Sequence, residues 1–184
     1  MPTEMPSPFS MKLRLNKPRG GRMTGKEIAL IGMMIASLEA AKLALSFLAN
    51  VELVTLLIIL YSLFWGWKVF YAVFAFVLVE CMIWGFNLWG VMYLYIWPLL
   101  VVLTLIFQNR KSVWFWSIFS GLYGLFFGAL CAIPYFFIGG WQTAFGWWIA
   151  GIPYDLVHCI SNFILMFVLY LPLTRVFARM KKQF

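Results

Sequence analysis

Six acidic residues and one histidine are nearly all that this 184-residue chain offers for acid–base work, and most of them stand in apolar surroundings. Glu39, Lys42, Glu80, Asp155 and His158 fall within long hydrophobic runs, and Glu52 sits at a turn between two of them. Placing such a group at membrane depth costs a few kcal/mol, so each one needs a partner, a ligand or a proton. Glu39 and Lys42 are three apart, which lets them either neutralise each other on one helix or line a solute pocket. Asp155, His158 and Asn162 lie within about 60° of one another at 100° per residue. Asn162 is about 10 Å deeper than Asp155 at 1.5 Å per residue, and His158 can bond Asp155 along the helix. Glu80 has no partner in its own segment and requires one from another helix or from a ligand. Asn50 and Glu52 suit the turn backbone.

Several chemistries are excluded by what is missing. A metal site needs several His, Cys or carboxylate ligands in fixed geometry, and the chain has one His. Cys81, Cys131 and Cys159 have no paired spacing and read as small buried hydrophobes. There is no HExxH and no GxSxG, and the serines lack a base beyond His158, so no catalytic residue is expected. Residues 20–26 read G-G-R-M-T-G-K, but the next residue is Glu27 where magnesium ligation wants Ser or Thr, and no strand precedes them. No cofactor is implied.

The elements that must position these residues are membrane helices. The chain is 64% hydrophobic and 11% charged, more apolar surface than one soluble domain can hide. The pattern predicts an all-α integral membrane protein with six spans. Residues 1–26 form a basic tail without apolar periodicity, 27–174 the membrane domain, and 175–184 a basic C-terminus. The spans are expected at about 27–48, then to 64, 69–85, 91–107, 113–133 and 153–173, with a wide loop over 134–152. Pro153 suits the first turn of the last helix. The first segment reads as a retained helix rather than a signal peptide, because it carries Glu39 and Lys42 and no cleavage site closes it.

Lys and Arg collect in the tail, at Lys68, at Arg110–Lys111 and at the C-terminus, all on one side of a six-span topology; the opposite loops have none. The positive-inside rule places both termini in the cytoplasm. Nucleic acid is a poor partner for cations that border a bilayer. Trp89, Tyr93, Trp141 and Trp147 belong to the outer end or its loops, where they serve either an interfacial belt or a pocket. The candidate ligand site therefore comprises Lys42, Glu80, Trp89, Tyr93, Trp141, Trp147, Asp155, His158 and Asn162. Gly32, Ala36, Ala40 and Ala44 recur every fourth residue as a small-residue stripe that another helix can approach closely in lipid. Gly121, Gly124, Gly128 and Ala132 form a second stripe.

The chain resembles the substrate-binding S components of energy-coupling factor (ECF) vitamin transporters over about residues 24–182. The likeness rests on six helices with both ends inside, the first small-residue stripe, Asn50-Val51-Glu52, and the run from Gly151 through Pro153, Asp155 and His158 to Asn162. It implies capture of a vitamin or related micronutrient at the outer face of a bacterial plasma membrane. Partners would be a membrane scaffold subunit, docked on the Gly32–Ala44 stripe, and two cytoplasmic ATPases. His158 and Cys159 would allow an axial contact to the cobalt of cobalamin. Two rivals remain: a structural or assembly protein whose charges pair internally, and an ion-coupled permease using Glu39, Glu80 and Asp155.

Overall fold

A computed structural model describes residues 23–183, which form helices joined by short turns; among the described residues there is no strand. The basic tail expected over 1–26 lies almost wholly outside them. α1 (Gly25–Ala44) starts with Thr24, whose hydroxyl accepts from Glu27 N while the Glu27 carboxylate accepts from Thr24 N. The T-G-K-E that imitates a phosphate loop is thus a capping box. α2 (Val54–Trp65) leads through a single 3-10 turn, Gly66–Lys68, into α3 (Val69–Trp84). Gly66 has φ 62°, so the chain reverses there. α4 is Leu88–Ile106, α5 Val113–Leu125, α6 Phe127–Cys131 and α7 Ile133–Met180.

Contacts fix the directions. Glu27 pairs with Lys68 and Lys42 with Glu80, so α1 and α3 lie side by side and parallel, and α2 runs antiparallel to both, packed chiefly on α4 and α7. α2 is apolar all round because it is buried all round, with Ile58, Ile59 and Leu60 at zero exposure. Its Ser62, like Thr104 of α4, donates to the carbonyl four residues back, which satisfies a hydroxyl without a partner helix. Lys26 donates to Gln183 O, bringing the start of α1 and the end of α7 to one end of the bundle.

The expected loop over 134–152 is instead helical. α7 is interrupted only at Gly139 and Gly140, where Gly140 takes φ 74°. From that turn the chain folds back against α5 and α6. Tyr135 stacks on Trp147, Gly128 meets Asp155, Gly124 meets His158, and Trp114 packs on Phe167. The second small-residue stripe is what permits this: a Cβ on Gly124 would lie 2.8 Å from the His158 carbonyl oxygen. Pro153 consequently lies inside the helix rather than at its start, and the helix continues to Met180 rather than ending near 173.

By length and hydropathy alone three helical stretches could cross a membrane: Leu88–Ile106, Ile133–Met180, and Val54–Trp84 when counted through its reversal at Gly66. α5 is apolar but shorter. Among the described residues the fold is all-helical, compatible with an all-α membrane protein.

Candidate functional site

A cavity of about 630 Å³ opens at the end of the bundle away from the start of α1 and the end of α7. Its floor and sides come from α1, α3, α4, α6 and α7, the first residue of α2 and the 45–53 connection. Of the residues expected at a ligand site, Lys42, Glu80, Trp89, Tyr93, Trp147, Asp155 and His158 all line it. Trp141 does not: it lies just past the Gly139–Gly140 turn, exposed and stacked on Phe145. Asn162 is buried on the same face of α7 as Asp155 and His158, but below the cavity.

Lys42 reaches across to Glu80 rather than back to Glu39, forming an ion pair with the buried carboxylate. Its ammonium also stands 5.0 Å from the centre of the Tyr93 ring, on the electron-rich face that attracts cations. Glu80 uses one oxygen in this pair; Oε1 is buried without a hydrogen-bond partner. Glu39 faces away from the cavity, and both of its carboxylate oxygens are buried without a hydrogen bond.

His158 meets Glu52 rather than Asp155, with 3.1 Å between Nε2 and Oε1. The other Glu52 oxygen accepts from Thr55 N at 2.8 Å, at the open N-terminus of α2. Burial alone would push the Glu52 carboxyl up, but the bonds from His158 and Thr55 outweigh it and hold the group below its usual range. Asn50 adopts φ 57°, and its carbonyl accepts from Ser161 Oγ at 3.0 Å. The 45–53 connection is therefore tied to α7 at two points. Glu52 serves the turn backbone as expected but also joins the cavity, a role whose sequence signal is scarcity: one acid of six at the start of an apolar helix.

Asp155 is seated by backbone. The helix is broken at Phe126, so Gly128 near the start of α6 has an N–H without a helical acceptor, and it donates to Asp155 Oδ1 at 3.0 Å. The absence of a Cβ at Gly128 leaves room for the carboxylate. Asp155 Oδ2 is buried and unpartnered.

Ring contacts run unbroken along one wall. Trp147 meets Trp89, Trp89 meets Tyr93, Tyr93 meets Trp97, Trp97 meets Phe127, and Phe127 meets the His158 imidazole at 4.9 Å between centroids. The wall offers flat apolar area, while three carboxylates and one ammonium supply charge. Among the described residues no group of His, Cys, Asp and Glu could hold a metal ion.

Along α1, Gly32, Ala36, Ala40 and Ala44 are all left uncovered by the chain's own helices, and a Cβ on Gly32 would meet nothing within 4 Å. Compared with protein families, curated proteins and solved structures, the chain matches none.

Proposed function

We propose that the protein crosses the membrane six times with both termini in the cytoplasm, and that its cavity captures a small ring-bearing nutrient from outside. It would deliver that ligand as the substrate-binding S component of an ECF-type importer, with a membrane scaffold and two ATPases as separate subunits. One observation carries this reading: ionisable side chains from α1, α3, the 45–53 connection and α7 converge on one aromatic-walled cavity. That cavity opens at the end of the bundle whose loops lack Lys and Arg. A volume of about 630 Å³ falls in the range of small-molecule sites. It suits a vitamin of one or two fused rings better than a corrin macrocycle. His158 Nε2 already faces Glu52, so an axial contact to cobalt would require that bond to open. The bare stripe on α1 supports a docking face for the scaffold.

The test is mass spectrometry of small molecules retained by the purified full chain. One ring-bearing compound should be retained by the wild type and lost from Glu80→Ala and Asp155→Ala. Retention of none would favour an assembly role. Undiminished retention in both variants would remove the ligand from this cavity.

A further inference from the structure

We infer that the ligand of this cavity is an organic cation, a flat ring carrying a protonated amidine- or amine-type N–H group, rather than a neutral or anionic compound. The inference rests on the cavity being a ligand site and specifies what it takes. Glu52, Glu80 and Asp155 line the cavity against a single ammonium, that of Lys42, so carboxyl groups outnumber ammonium groups three to one. Lys42 is already paired with Glu80 and turned onto the Tyr93 ring, so it is poorly placed to receive an anion. Two acceptors are left over. Asp155 is 4% exposed and Glu80 5%, yet Asp155 Oδ2 and Glu80 Oε1 have no hydrogen-bond partner. An ionised oxygen in that condition is costly unless something donates to it. A cation with two N–H groups supplies both the charge and the donors.

A third unpartnered group among the described cavity-lining residues bears on the rest of the molecule. Trp97 is 3% exposed and its Nε1–H lacks an acceptor. It lies in the aromatic wall, so a ring stacked there would present an acceptor atom to it, such as a ring nitrogen or a carbonyl oxygen. The wall's faces also favour a positively charged ring over an anionic one.

The test uses three ring compounds of nearly one shape: benzamidine as cation, benzamide as neutral and benzoate as anion. Each is titrated into the full-length protein in lipid nanodiscs and followed by saturation-transfer NMR, with empty nanodiscs subtracted. Benzamidine should bind about tenfold or more tighter than benzamide, with no binding of benzoate, the margin expected of charge-assisted hydrogen bonds. Asp155→Asn and Glu80→Gln should each cut that preference about tenfold; Asn at 155 can still accept from Gly128 N. Benzamide or benzoate binding as tightly as benzamidine would overturn the charge assignment while leaving the cavity a ligand site. Undiminished benzamidine preference in both variants would overturn it too. Failure of all three compounds to bind the wild type would overturn the ligand-site reading itself.

Discussion

Lys42 on α1 and Glu80 on α3 form an ion pair across 38 residues of sequence, and that pair holds two parallel helices together at the cavity. Removing one partner leaves the other charge uncompensated, so Lys42→Met and Glu80→Gln should each destabilise the protein. Breaking a fully buried pair costs about 3–5 kcal/mol, but the Lys42 side chain is 29% exposed, so about 1–3 kcal/mol is expected. The double variant should recover part of the loss. Thermal unfolding in detergent across the four proteins measures the coupling, and strictly additive losses would deny it.

The glycines divide into two kinds, and substitution should separate them. Gly124→Ala drives a Cβ into the His158 backbone carbonyl, and Gly128→Ala meets the Asp155 carboxylate. Each should cost about 1–3 kcal/mol through forced separation of α5 and α6 from α7. Gly32→Ala fills open space within α1 and should be neutral or gain about 0.5–1 kcal/mol from helix propensity. Melting temperatures of the three variants give the comparison directly.

How much of this was legible in the sequence depended on the physics of each feature. In a chain with six acids, a carboxylate inside an apolar run stands out, so Glu80, Asp155 and His158 could be placed at the site before any helix was docked. Which charges pair was not legible. The i,i+3 spacing offered Glu39–Lys42 and Asp155–His158, which interact electrostatically, but the direct contacts made on helix docking are Lys42 with Glu80 and His158 with Glu52. Sequence spacing reports neighbours on one helix and is silent about the next one. The stretch after Pro134 looked like a loop because paired glycines and tryptophans are loop signals. Only the register against α5 and α6, set by Gly121, Gly124 and Gly128, turns it into a helical hairpin that brings Trp147 to the cavity and leaves Trp141 outside. Glu39 makes no hydrogen bond, and its compensating charge is Lys42, one turn along the same helix.

The Glu52–His158 contact predicts an acid limb in stability. Glu52 is held below its ordinary value of 4.5 in the folded protein. Its contribution is therefore fully present above that value and is lost as pH falls below it, through the depressed native value. Thermal stability of the wild type should fall on acidification below about pH 4.5, and Glu52→Gln should flatten that limb while lowering stability at neutral pH. Parallel limbs in the two proteins would mean that other carboxylates carry it.

The uncovered face of α1 bears on assembly in a way the cavity does not. Ala36 and Ala40 lie on the same exposed side as Gly32 and Ala44, whereas Leu30, Met34, Leu38 and Ala41 hold the helix to the bundle from the other side. A bulky side chain on the exposed face touches nothing in this chain, so Ala36→Trp and Ala40→Trp should leave the melting temperature within about 0.5 kcal/mol of wild type. A partner helix in lipid gains its contact from close backbone approach, which an indole at either position prevents. Under the proposed function, co-purification with a co-expressed scaffold and its ATPases should therefore be lost in both variants, while small-molecule retention by the isolated chain is unchanged. Association that survives both substitutions would move the docking face elsewhere, and loss of stability along with association would show that the stripe packs within the protein after all.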